Sequence, residues 1–211
     1  AGCATGSKTP KPYVYFPPPP DDPRIQFLTS FSSERGFSGS SRFLDFVVGA
    51  EKTDAGLAKP YGIALHQGKM YICDSFPAVL EILDLSKGKL RYFGSSGEGR
   101  MRLPINVALD ADGTRYITDT TREQLLIYSA KDEYLGVIGK KDEWKPVGVA
   151  LRGNRLYVSD LKGHQVRVYD KTKRELLFAI PRDPNDPKSR LLSPTNIAID
   201  RQGRILVSDT G

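Results

Sequence analysis

Four aspartates, Asp74, Asp119, Asp160 and Asp209, are the residues whose type and spacing first suggest chemistry. Each closes a short apolar run, and carboxylates repeated around a ring would suit a hard cation such as calcium. The same position suits a plainer role, because an Asp at a strand end can accept backbone N–H groups and fix the following turn. We take the structural role: a residue needed once per repeat recurs, whereas a site is built once. The two histidines, His66 and His164, fall in different repeats and show no metal-ligand spacing. Cys73 stands where the other copies carry Thr118, Ser159 and Ser208, and reads as a small buried side chain. There is no Gly-x-Ser-x-Gly elbow, no Cys-x-x-Cys pair and no haem-attachment motif. The expectation is therefore no catalytic residue, no metal and no cofactor, although acid/base carboxylate pairs stay open at this level.

The elements that hold these residues repeat. Pro60, Pro104, Pro146 and Pro194 stand 44, 42 and 48 residues apart, and the following Asp comes 14, 15, 14 and 15 residues later. Each Pro opens a strand and is followed by Gly62, Asn106, Gly148 or Asn196, which allows a bend. A dense apolar run follows, then a turn (Gln67-Gly68, Asp112-Gly113, Gly153-Asn154, Gln202-Gly203), then a β-branched and aromatic strand ending at the Asp. In the three complete copies a third strand places Leu80 and Ile82, Leu125 and Ile127, or Val166 and Val168 on one face by period-two alternation. A fourth strand closes each copy, as in Leu90–Phe93, Tyr134–Ile138 and Leu176–Ile180. Four antiparallel strands per repeat predict an all-β propeller with repeats at 57–94, 101–139 and 143–181 and a partial one at 190–211. Residues beside each Pro line the mouth of such a ring, which makes Tyr61, Asn106, Thr195 and Asn196 the candidate binding face. Residues 24–31 and 43–48 also read as strands, and 24–49 is assigned to closing the last blade.

Composition narrows the classes. Lys and Arg number 31 against 25 acidic residues in 211, a net charge of +6, and they are scattered. Scattered charge argues for a solvated surface with a mild preference for anionic partners, and no basic stripe with aromatics or nucleic-acid module is present. No apolar run reaches the 18 residues that a spanning helix needs.

The start, Ala1-Gly2-Cys3, resembles the end of a bacterial lipobox, which implies lipid attachment at Cys3. Residues 1–23 then form this start and a proline-rich spacer in which Pro17–Pro20 favour a polyproline II rod. With Ala4 rather than Asp after the cysteine, the resemblance implies the outer membrane of a Gram-negative bacterium.

The pattern Pro-x-(Gly/Asn)-(Ile/Val)-Ala-(Leu/Ile), then (Tyr/Leu)-(Ile/Val)-x-Asp, with strands such as His164–Tyr169, resembles the NHL repeat across residues 57–211. The resemblance implies a six-bladed propeller, for which about 43 residues per repeat would need roughly 260 residues, so further blades are expected beyond Gly211. It also implies an envelope lipoprotein acting as a non-catalytic protein-interaction scaffold. Its partner would be another envelope or secreted protein, such as a multihaem cytochrome or outer-membrane complex, and not nucleic acid. Two alternatives follow from the same resemblance: a metal-dependent propeller lactonase or lyase, and a polysaccharide-binding module.

Overall fold

The computed structural model describes residues 14–28, 30, 32, 56–181, 183 and 189–211. Two compact units divide the chain, residues 1–32 and 33–211.

In the first unit, β1 (Val14–Phe16) pairs antiparallel with β2 (Ile25–Phe27), with Tyr15 opposite Gln26. This corrects the expectation of a strandless spacer with a polyproline II rod. Pro17–Pro20 belong to the connection between two paired strands, with a turn at Pro19 and Pro20. It also gives the strand expected at 24–31 a partner inside the proline-rich region. The predicted strand 43–48 and the lipobox-like residues 1–3 lie outside the described residues.

The second unit is built from the repeats. β3 (Pro60–His66), β4 (Lys69–Asp74), β5 (Val79–Asp84) and β6 (Lys89–Phe93) form one four-stranded antiparallel sheet in sequence order. β7 (Pro104–Leu109), β8 (Arg115–Asp119), β9 (Gln124–Tyr128) and β10 (Tyr134–Ile138) form the second. β11 (Pro146–Arg152), β12 (Arg155–Asp160), β13 (Gln165–Asp170) and β14 (Leu176–Ile180) form the third. β15 (Pro194–Ile199) and β16 (Ile205–Asp209) pair as the first two strands of a fourth. The turns supply the required backbone: Gln67 and Gly68 both have positive φ (47° and 70°), the geometry of a two-residue hairpin.

Successive sheets meet face to face, with the Pro-initiated strands side by side at the inner edge: β3 against β7, β7 against β11, β11 against β15. The core is therefore a series of junctions rather than one central mass. At the first junction Tyr71, Cys73, Leu80 and Ile82 pack on Val107, Ile117, Leu126 and Tyr128. At the second, Tyr116, Leu125 and Ile127 pack on Val149, Leu156, Val158 and Tyr169, with Trp144 buried among them. At the third, Tyr157, Val166 and Val168 pack on Ile197, Ile205 and Val207. Alternation along each strand sends every second residue to one neighbour and the rest to the other, so two apolar faces per sheet are read from one strand sequence.

Candidate functional site

The inner edge is where the repeated polar residues converge. In all four Pro strands the register to the next strand slips just after the Pro, as between Pro60 and Ile63 or Pro146 and Val149. Such a bulge frees backbone groups that need partners. At the second junction the Thr118 hydroxyl accepts the Asn106 N–H (3.0 Å) and donates to the Val147 carbonyl of the next blade (2.6 Å). At the third junction Ser159 accepts the Gly148 N–H (2.6 Å) and donates to the Thr195 carbonyl. One hydroxyl thus satisfies its own bulge and ties its blade to the next. Cys73 holds this slot at the first junction, fully buried. Burial first, and the charge of Asp119 second, push its thiol well above the ordinary range, so it stays neutral.

The slot after Pro-x has a reason that differs from the bend expected of it. A Cβ on Gly62 would lie 2.5 Å from the Ile105 carbonyl oxygen, and one on Gly148 would lie 2.4 Å from that of Thr195. The next blade's inner strand passes where a side chain would be. Neither glycine has positive φ; close approach, not turn geometry, requires them.

The four candidate mouth residues are not one cluster of equal members. Asn106 Nδ2 donates to Asn196 Oδ1 at 3.3 Å, linking the second and fourth blades past Gly148 of the third. The Thr195 hydroxyl turns to the Ser208 carbonyl (3.2 Å). Tyr61 lies on the first blade, its ring exposed, with Lys59 Nζ 6.0 Å from the ring centroid.

The repeated aspartates reach further than their own turns. Asp74 accepts N–H bonds from Ala58 and Lys59, just before Pro60, and from Phe76 in its own turn (2.7, 2.8 and 3.2 Å). Asp119 does the same with Arg102, Leu103 and Arg122 (2.6, 3.1 and 2.9 Å). Asp160 takes Lys145, Gly163 and the Arg167 guanidinium (2.9, 3.0 and 2.8 Å). Burial pushes the Asp160 carboxyl up, but those N–H groups and the Arg167 charge outweigh it and hold it below the usual carboxylate range. Asp209 takes Leu192 and Ser193 (2.8 and 2.5 Å), and these bonds lower it too. Each carboxylate therefore pins the loop that enters its blade. Among the described residues no group of three His, Cys, Asp or Glu side chains is placed to hold a metal ion. His66 and His164 lie in separate blades, and His164 Nδ1 meets the Leu192 carbonyl at 2.5 Å.

Two arginine arrangements were not foreseen from the sequence. The Arg115 guanidinium lies 5.3 Å from the Tyr71 ring centroid and 5.2 Å from that of Phe93, and is paired with Asp132, which also receives Arg91. Arg167 lies 5.3 Å from the Trp144 ring while pairing with Asp160 and Glu143. Arg115 joins the second blade to the first by a desolvated charge on aromatic faces, and Arg167 ties the third blade to the loop that enters it. Periodicity marks the aromatics but carries no sign of which arginine covers them.

A Streptogramin B lyase structure matches with a TM-score of 0.57 at 15% identity, over 71% of this chain and 48% of the lyase. Virginiamycin B lyase from Staphylococcus aureus matches at 0.57 and 13%, over 72% and 49%. A chain of Kuenenia stuttgartiensis hydrazine synthase matches at 0.56 and 16%, over 74% and 44%. The fold is a β-propeller. The chain spans about half the length of these matched structures. No protein-family model and no curated protein sequence matches it.

Proposed function

We propose that this chain belongs to an NHL-type, six-bladed propeller lipoprotein that serves as a non-catalytic interaction scaffold. In this reading lipid on Cys3 holds it at the outer membrane of a Gram-negative bacterium, and its loops receive an envelope or secreted protein partner. The observation that carries the reading is the engagement of the repeated polar groups. Asp74, Asp119 and Asp160 each bind backbone N–H groups of the entering loop, and Thr118 and Ser159 bridge to the next blade. The recurrent chemistry of the chain goes into a rigid arc, which leaves recognition to the variable loops. The likeness to a chain of a nidogen/laminin complex (TM-score 0.51, 20% identity) is compatible with a propeller working inside an assembly.

The second reading is a propeller lyase or lactonase, favoured by the likeness to the two lyase structures. Its metal ligands would come from blades beyond the described ones. A polysaccharide-binding module is the third, and would use exposed aromatics such as Tyr61.

Purification of the full-length native protein from its source membranes in mild detergent, with intact mass on the same sample, separates these. A stoichiometric protein partner together with lipid mass on Cys3 supports the scaffold. A lone monomer carrying calcium or zinc overturns it in favour of the enzyme.

A further inference from the structure

A cleft of about 800 Å³ opens where the loop entering the second blade meets the β8–β9 turn and the loop entering the third. Its charged lining is Glu98, Arg100, Arg102, Arg122 and Lys141, four cations against one carboxylate, with Gln124 beside them. Arg122 is fixed: its Nη1 donates to the Glu98 and Arg100 carbonyls (2.9 and 2.7 Å) and its Nε to Gln124 Oε1 (3.0 Å). It shapes the cleft while keeping its charge, because its partners are neutral. Arg100, Arg102 and Lys141 are exposed, and none of the four cations forms an ion pair among the described residues. Elsewhere on this propeller some arginines are matched (Arg115 and Arg91 with Asp132, Arg167 with Asp160 and Glu143, Arg204 with Asp200), while Arg152, Arg155, Arg174 and Arg201 form no ion pair among the described residues. Within this cleft the cations outnumber the carboxylate four to one.

We infer that this cleft is a binding site for a phosphorylated carbohydrate. Three of the four cations are arginines, whose planar fork suits oxyanions such as phosphate. A surplus of three positive charges in so small a volume calls for a ligand with closely spaced negative charge, and phosphate esters are that. Among the described residues no aromatic side chain lines the cleft to stack a nucleobase. Glu98 is a poor neighbour for phosphate but a good acceptor for sugar hydroxyls, and Gln124 adds an amide for the same purpose. The carbohydrate can be a soluble sugar phosphate or the headgroup of a phosphorylated glycolipid; the recognition chemistry is shared.

The test uses the full chain and four probes: glucose 1,6-bisphosphate, inorganic pyrophosphate, polyglutamate, and phosphatidylcholine vesicles with or without lipid A. Calorimetry should show saturable binding of glucose 1,6-bisphosphate that weakens with salt. The double variant Arg100→Gln/Arg102→Gln should weaken it by about tenfold or more, as expected when one or two charge-assisted hydrogen bonds are removed. Both side chains are exposed, so the fold is kept, and unchanged thermal unfolding verifies this. Glu98→Gln should weaken the sugar bisphosphate relative to pyrophosphate, a change that general electrostatics would not produce. Lipid A vesicles bound only by the unaltered chain would identify a glycolipid headgroup; binding of the soluble sugar phosphate alone would identify a soluble ligand. The proposal is overturned by absence of saturable binding to any phosphate probe, by a double variant that binds unchanged, or by polyglutamate binding as tightly as the bisphosphate.

Discussion

The first and second blade junctions do the same work with different materials. At the first, the inner slot is the thiol of Cys73 and the gap beneath the loop is filled by Met101. At the second, the slot is the hydroxyl of Thr118 and the filler is Trp144, whose Nε1 donates to the Glu123 carbonyl at 2.7 Å. Gly94 and Gly139, each just after an outer strand, make room for the respective filler: a Cβ there would meet Met101 or Trp144. Sulfur side chains are adaptable and weakly directional, whereas an indole with a bonded N–H and a bridging hydroxyl admit one arrangement. The sheet geometry fixes that a junction forms; the polar groups fix how uniquely it is placed.

The largest effect should come from removing the fillers. Trp144→Ala should cost about 5 kcal/mol and Met101→Ala about 3 kcal/mol, both within the range for large buried side chains. The difference reflects the indole hydrogen bond and the Arg167 guanidinium over the ring, which Trp144 has and Met101 does not. Urea denaturation of the two variants measures it, and equal costs would break the distinction drawn between the junctions.

Next come the loop-pinning aspartates. Asp119→Ala strands three backbone N–H groups at the closed second blade and should cost on the order of 3–4 kcal/mol. Asp84→Ala, whose carboxylate bonds only within its own exposed turn, should leave the midpoint close to that of the unaltered chain because water replaces the carboxylate. If both variants lose stability alike, the carboxylate works only within its own turn and not through burial.

These aspartates also show what the amino-acid order made legible. Their spacing from each Pro, and the alternation of Leu80 with Ile82 or Val166 with Val168, marked the described strands of the four repeats, because sheet periodicity and turn chemistry are local properties. The spacing also placed Asp119 at a strand end. It did not show that Asp119 would reach back to Arg102 and Leu103, since that contact joins residues brought together only by the closed sheet. The same limit hid the Arg115 sandwich, the Thr118 bridge and the gathering of Arg100, Arg102 and Lys141. The β1–β2 hairpin was missed because prolines between Phe16 and Asp21 dominate the local signal and mask a three-residue pairing.

Thr118→Val tests the hydroxyl itself. It keeps shape but leaves the Asn106 N–H and the Val147 carbonyl without their partner, and should cost about 2 kcal/mol. Hydrogen exchange at the Asn106 amide should speed up in step with the loss of stability. An unchanged exchange rate at that amide would show the bridge to be incidental.

A smaller, pH-dependent effect belongs to the first blade alone. Glu81 on β5 is buried with Oε2 lacking a partner among the described residues, and burial first, then the Asp74 carboxylate, push it up to about 7. The native state holds this proton more tightly than the unfolded chain, so its contribution is fully present below about 4.5 and is lost as pH rises through about 7. Stability measured from pH 5 to 8 should fall more steeply for the unaltered chain than for Glu81→Gln. Parallel slopes would assign the pH dependence elsewhere.

The smallest expected change is the one that bears most directly on the comparison: Cys73→Ser. The first junction already has the receiving geometry. A Cβ on Gly62 would sit 2.5 Å from the Ile105 carbonyl oxygen, just as one on Gly148 would sit 2.4 Å from that of Thr195, which Ser159 bonds. Serine at position 73 should therefore find the same pair of partners, the bulged inner strand and the next blade. A new bridge is worth about 1 kcal/mol, offset by replacing a buried apolar thiol with a hydroxyl, so the variant should be neutral or slightly more stable. A clear destabilisation would mean that the first junction is packed around sulfur and is not a bridge awaiting its hydroxyl. In that case the soft first junction is a distinct solution, and Thr118→Cys at the second should fail where Cys73 succeeds.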